Sequence, residues 1–108
     1  MNKATLVYCL RGDDVFLGMK KRRFGEGLWN GFGGKLEPNE DSRAAAAREV
    51  LEECGLVVAP DLLEQVAIVE FYFADVPIFE CHTFFARAWH GDPQETEEMR
   101  PPWFRSKE

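Results

Sequence analysis

Glu49, Glu52 and Glu53 stand at i, i+3 and i+4 in the segment Arg48-Glu49-Val50-Leu51-Glu52-Glu53-Cys54-Gly55. At about 100° per residue this spacing gathers three carboxylates on one side of a helix and sets Ala47, Val50, Leu51 and Cys54 on the other. A solvated face is the ordinary explanation of such a pattern, yet two costs oppose it here. Like charges at these spacings repel by roughly 0.2–0.5 kcal/mol per pair. The negative end of the helix dipole disfavours each carboxylate by roughly a further 0.3–1 kcal/mol. Arg48 offsets part of this through Glu52. A divalent cation relieves the rest most directly, and hard oxygen donors suit Mg²⁺, with Mn²⁺ as a substitute, and not zinc.

The elements that must position this cluster are legible around it. Residues 41–54 read as a helix, with Pro38 and Asn39 at its start, an alanine run to sustain it and Gly55 to stop it. Ahead of it lies a stretch from Phe24 to Lys35 too rich in glycine for a helix and too aromatic for a linker, so a structured loop or bulged strand is expected. Residues 5–10 and 15–19 read as a hairpin turning at Gly12-Asp13-Asp14, and residues 66–73 and 79–89 as two further strands joined through Ala74-Asp75-Val76-Pro77. Residues 90–98 are polar and turn-rich, and Pro101-Pro102-Trp103-Phe104 opens an edge strand. One helix among several strands indicates an α+β or mixed α/β domain.

The 108 residues suit a single domain, residues 1–108, and 45% apolar content is enough for a core. A net charge of −6 argues against a protein that grips nucleic-acid polymers. No apolar run approaches the roughly 20 residues of a membrane span, and no signal-peptide pattern opens the chain. Three cysteines, Cys9, Cys54 and Cys81, are an odd number with no metal spacing and read as buried thiols of a reduced, cytoplasmic protein. His82 and His90 read as structural or surface residues.

Gly34, Glu40 and the run from Arg48 through Gly55-Leu56 match the pattern G-x5-E-x7-R-E-U-x-E-E-x-G-U, with U aliphatic, at every fixed position. On these residues the chain resembles the Nudix hydrolases. Leu-Gly-Met-Lys-Lys-Arg and the glycine-aromatic stretch before the box, with Glu98-Met99-Arg100-Pro101 after it, are similar to the mammalian-type branch of the MutT-like enzymes. The resemblance implies a Nudix fold, a mixed α/β/α sandwich in which the box forms a loop–helix–loop. It implies metal ligands at Gly33 (through its carbonyl), Glu49, Glu52, Glu53 and Glu98, with Arg48 orienting the carboxylates. Glu53 is the expected general base, with Glu52 or Glu98 as alternatives.

The reaction implied is Mg²⁺-dependent hydrolysis of oxidised purine nucleoside triphosphates, such as 8-oxo-dGTP, to the monophosphate and pyrophosphate. The substrate positions implied are Thr5, Lys20, Phe24, Asn30, Phe32, Gly34, Lys35, Phe71, Phe73 and Phe79. Asn30 is the most apt to read a purine edge, because its amide donates and accepts at once. Two alternatives stand beside this reading: a Nudix hydrolase of nucleotide sugars or dinucleoside polyphosphates, and a non-catalytic nucleotide-binding Nudix domain. The family continues past Phe104 into a Trp-Pro-Asp-Asp motif, a second helix and closing strands. The chain therefore reads as C-terminally truncated relative to the family. The resulting uncovered sheet face would favour self-association.

Overall fold

The computed structural model describes residues 2–20, 29–92, 99–100 and 103–105. Phe24, Glu98 and residues 21–23 of the basic cluster lie outside the described residues. Strand β1 (Asn2–Arg11) turns at Gly12, whose φ is 59°, into β2 (Asp14–Phe16). Strands β3 (Gly18–Lys20) and β4 (Trp29–Asn30) precede helix α1 (Ser42–Cys54). The long strands β5 (Glu64–Phe73) and β6 (Val76–Ala86) follow, then the short β7 (Met99–Arg100) and β8 (Trp103–Arg105). One sheet runs β5-β6-β1-β2-β8 and a smaller one runs β4-β3-β7.

The main sheet is mixed. β1 pairs in parallel with β6, from Asn2 opposite Phe79 to Cys9 opposite Ala86, whereas its pairing with β2 is antiparallel. The glycine-rich stretch also docks on β1: Phe32 and Val7 exchange backbone hydrogen bonds, and Leu36 N–H donates to the Lys3 carbonyl. The second half of the expected first hairpin is divided. β2 stays beside β1 in the main sheet, while β3 pairs with β4 and β7 in the smaller one.

Helix α1 begins at Asp41, whose side chain accepts from Ala44 N–H, and ends at Gly55, whose φ of 80° places it in the left-handed conformation of a helix stop. Its packed face differs from the expected one. Ala45, Ala46, Val50, Glu53 and Cys54 are buried, whereas Leu51 is 52% exposed and Glu53 only 2% exposed. The physical reason lies in the alanines: Ala46, Val50 and Cys54 follow one another at i, i+4 and i+8, and alanine lets the helix come close to β1 on that stripe. Arg43 secures the helix sideways, donating to the Leu63 carbonyl and lying 5.4 Å over the Phe84 ring.

Between α1 and the sheet lies a core that includes Val7, Cys9, Phe16, Phe32, Val50, Cys54, Leu56 and Phe84. Burial of each large apolar side chain contributes about 1.5–3 kcal/mol. Among the described residues α1 is the one α-helix, so the second helical layer of the expected sandwich is not found there. The β5–β6 hairpin turns at Ala74 and Asp75, with φ of 50° and 67°, a tighter connection than the four residues anticipated. It leaves Val66, Ile68, Val69, Phe71, Tyr72, Phe73, Val76 and Ile78 exposed. The chain has no helix, among the described residues, long and apolar enough to cross a membrane.

All three cysteines are free and buried. Burial pushes the Cys9 thiol up to about 12 and the Cys54 thiol up to about 11, so neither supplies thiolate near neutral pH. Iodoacetamide at pH 7.5 should leave Cys9 and Cys54 unmodified in the folded protein and alkylate both after urea unfolding, as read by intact mass. Native-state labelling of either residue as fast as after unfolding would contradict the buried placement.

Candidate functional site

Turning Glu53 inward brings it to the glycine-rich loop. Gly33 N–H donates to Glu53 Oε1 at 2.7 Å. Glu49, one turn earlier on the helix, lies against the next residue: a Cβ on Gly34 would stand 2.6 Å from the Glu49 carboxylate. Gly33 itself is pressed onto β1, where a Cβ would lie 1.9 Å from the Thr5 carbonyl oxygen. No side chain fits at Gly33 without moving the loop. Strand, loop and helix thus meet within one backbone thickness, with two carboxylates at the junction.

Arg48 organises the outer side of this junction. It donates to both oxygens of Glu40, each at 2.9 Å, to Glu49 Oε2 at 2.9 Å and to the Lys35 carbonyl at 3.1 Å. A longer pair of contacts reaches Glu52, at 3.3 and 3.4 Å. Glu40 also accepts from Glu37 N–H at 2.9 Å, which closes the turn ahead of the helix. The Arg48 guanidinium beside it, together with that N–H, holds the Glu40 carboxyl below the usual carboxylate value. The same carboxylates hold the Arg48 guanidinium even more firmly protonated than an isolated one. Such charge-assisted, two-pronged pairing fixes orientation as well as charge.

The carboxylates anticipated on one face therefore separate. Glu49 and Glu53 converge on the loop, whereas Glu52 projects toward solvent with Arg48. Among the described residues no three Asp, Glu, His or Cys side chains form a group able to hold a metal. Two carboxylates with the adjacent loop backbone still constitute a hard-oxygen donor set whose chemistry suits a divalent cation completed by water or phosphate oxygens.

The anticipated substrate positions are distributed over both faces of the sheet. Thr5 is 3% exposed on the helix side, with Oγ1 donating to the Gly34 carbonyl at 3.4 Å. Phe32 is 0% exposed and belongs to the core, where no ligand reaches its ring. Phe79 pairs with Asn2, three residues from Thr5 along β1, so alternation puts Phe79 and Thr5 on opposite faces. Phe71 stacks on Phe79, ring centroids 4.5 Å apart, and Phe73 is exposed near the hairpin turn. Lys35 is exposed and bridges Ala4 in the backbone. Lys20 and Asn30 are placed through their backbones, in β3 and β4.

Two roles escaped the residue patterns: Glu40 as the principal partner of Arg48, and the Gly33 N–H as the donor that receives Glu53. The fixed spacing of Glu40 ahead of Arg48 was the available signal for the first. Nothing in a glycine's identity signals the second. His82 is engaged by Glu80 at 2.7 Å and by Gln65 at 3.0 Å, and the backbone of the exposed His90 pairs with that of Val57.

Comparison with known proteins places this geometry. The NUDIX domain model matches residues 1–108. The chain is 50% identical over 94% of its length to the oxidized purine nucleoside triphosphate hydrolase of Mus musculus, and 46% identical over 93% to that of Danio rerio. It spans 64% of the length of each of these relatives. Among solved structures, the MutT NUDIX hydrolase of Burkholderia pseudomallei superimposes with a TM-score of 0.83 at 23% identity, over 96% of this chain and 82% of that one, a likeness of fold.

The Arg48–Glu40 pairing makes stability depend on pH in a stated direction. A carboxyl with a lowered folded-state pKa stabilises the fold above its unfolded value, near 4.3, and the contribution is lost as pH falls through the folded value. Glu40→Gln should lower the urea midpoint at neutral pH, with the gap from the unsubstituted protein closing as pH falls past the unfolded value and through the lowered folded one. A gap of constant size across the titration would show that Glu40 acts otherwise.

Proposed function

Because the chain belongs to the NUDIX family, we propose that it is a metal-dependent hydrolase that cleaves the diphosphate linkage of nucleoside triphosphates. We infer oxidised purine nucleotides such as 8-oxo-dGTP as its substrates, with the monophosphate and pyrophosphate as products. The names of the relatives at 50% and 46% identity support the substrate class. The observation that carries the hydrolytic reading is the convergence of Glu53 and Glu49 on the Gly33–Gly34 backbone. In this reading Glu49, Glu53 and the Gly33 carbonyl hold the cation, Mg²⁺ or Mn²⁺, with Glu52 and Glu98 as further ligands. When bound, the cation supplies charge neutralisation for phosphate oxygens and acidifies a water molecule.

The chain's own residues do the remainder. Glu53 accepts the proton of the attacking water at its carboxylate, while the Gly33 N–H holds Oε1 in place. Arg48 restrains Glu49 so that its charge stays directed at the site. Lys20 draws the polyphosphate, and Asn30 reads the purine edge, its amide donating and accepting at once. The cytoplasm, where free nucleotides accumulate, is the compartment this reading implies.

Glu53→Gln keeps the shape of the side chain and removes the base. Followed by pyrophosphate release from 8-oxo-dGTP with Mg²⁺, its kcat should fall by a factor on the order of a hundred or more. Circular dichroism should show the fold retained. Equal rates for the two proteins would remove Glu53 from the mechanism. A panel including a nucleotide sugar and a dinucleoside polyphosphate decides the substrate class.

We also infer that copies of the chain associate through the exposed β5–β6 hairpin. β5 is an edge strand whose ten residues are all exposed, and it carries neither lysine nor proline. Its two acidic residues are engaged within the chain, Glu64 by Arg87 and Glu70 by the Tyr72 hydroxyl. An edge so lightly guarded can add a second copy as a further strand. Val69→Lys should lower the associated fraction measured by light scattering at high concentration. Single copies of the unsubstituted protein under those conditions would refute the association.

A further inference from the structure

We propose that Tyr8 is a positioning residue for the part of the site that reads the nucleotide, pinning the smaller sheet to the main one by covering Gly31; the proposal rests on the nucleotide hydrolysis inferred above. The chain changes sheets at Gly31. Trp29 and Asn30 before it form β4, paired with β3, whereas Phe32 after it exchanges two backbone hydrogen bonds with Val7 of β1, at 2.6 and 2.9 Å. The antiparallel bridges Ala4–Lys35 and Val7–Phe32 share one register, which sets Gly31 opposite Tyr8. Because Val7 and Phe32 exchange both bonds, Tyr8 and Gly31 fall at the adjacent position without them, where cross-strand neighbours approach most closely.

The Tyr8 ring fills the space that a side chain at Gly31 would need. A Cβ there would stand 3.1 Å from two carbons of the ring and 2.6 Å from the Val7 carbonyl oxygen. An aromatic ring laid across a glycine of the facing strand holds a register that glycine alone leaves loose. Burial, and after it the Cys81 thiol, push the Tyr8 phenol up, so the hydroxyl stays protonated and a neutral ring is what meets the glycine. The smaller sheet carries Lys20 in β3 and Asn30 in β4, the residues assigned above to the polyphosphate and the purine edge. Glu53 and Glu49 meet the chain two and three residues beyond Gly31, at Gly33 and Gly34. Tyr8 thus stands at the joint between the residues that read the nucleotide and those that hold the cation. Loss of its ring frees the first group, while β1 and Arg48 continue to hold the second.

Tyr8→Ile removes the ring and keeps an apolar side chain suited to a strand, and Tyr8→Phe keeps the ring. With 8-oxo-dGTP and Mg²⁺, Tyr8→Ile should raise KM about tenfold and leave both kcat and the Mg²⁺ concentration for half-maximal rate unchanged. Tyr8→Phe should match the unsubstituted protein. A fall in kcat or a raised Mg²⁺ requirement would show that the whole loop had moved, and would overturn the proposal. So would an unaltered KM, or a Tyr8→Phe variant as impaired as Tyr8→Ile.

A second readout is independent of turnover. Amide exchange by nuclear magnetic resonance should be about tenfold faster at Phe32 in Tyr8→Ile than in the unsubstituted protein or in Tyr8→Phe. The Leu36 amide, bonded to the Lys3 carbonyl at the far end of the same ladder, should be unchanged and serves as the internal standard. Should the unsubstituted protein show no metal-dependent turnover, the functional reading fails by itself, and Phe32 exchange alone decides whether Tyr8 pins the joint. Unchanged exchange at Phe32 overturns it. Should Tyr8→Ile not fold, Tyr8→Leu takes its place in both measurements.

Discussion

A carboxylate can be buried in a protein only where donors meet it, and Glu53 is the group on which this structure turns. Its side chain enters the packed face of α1 beside Val50 and Cys54 and is received by the Gly33 N–H. For that donor to be present, the loop must lie flat on β1, and glycine is the residue that permits it. For the loop to stay there, β1 must hold it through the carbonyls and amides of Lys3, Thr5 and Val7. The register of the glycine-rich stretch, the short reach of the alanine face and the helix phase are thus one arrangement seen from three sides.

Arg48 is the counterpart on the solvent side. It ties together the turn before the helix, through Glu40, and the loop, through the Lys35 carbonyl, with Glu49 held between them. A lysine in its place would supply one point charge where five directed donors are used. The negative charge of this region is thereby distributed: some of it is neutralised permanently by arginine, and some stays directed at the loop.

Much of this was legible in the residues. The alanine run and Gly55 bound the helix to within one residue, although its N-terminal cap is Asp41 and not the expected Pro38 and Asn39, which lie in the turn ahead of it. The motif from Gly34 to Leu56 marks the loop and helix that bring Glu49 and Glu53 together, because spacing is local too. The helix phase was misread because Leu51 resembles a core residue and Glu53 a surface one. What inverts them is a donor twenty positions away on a residue with no side chain. The Ala74–Asp75 turn was equally hidden, since alanine seldom takes a positive φ and the usual Asn-Gly signal is missing. The division of residues 15–19 between two sheets follows from pairing partners near residue 100, beyond the reach of any local pattern.

The parallel pairing of β1 with β6 sets the order in which the molecule can be assembled. Asn2 finds its neighbour at Phe79, so β1 leaves the ribosome well before the strand it pairs with has been made. Until then its apolar side chains have no lateral cover from β6, and the loop that seats Glu53 has only half a sheet to rest on. Ring closure over so long a span is slow by comparison with local hairpins. Translation pauses within the β5–β6 region therefore prolong the interval in which the nascent chain is most dependent on chaperones.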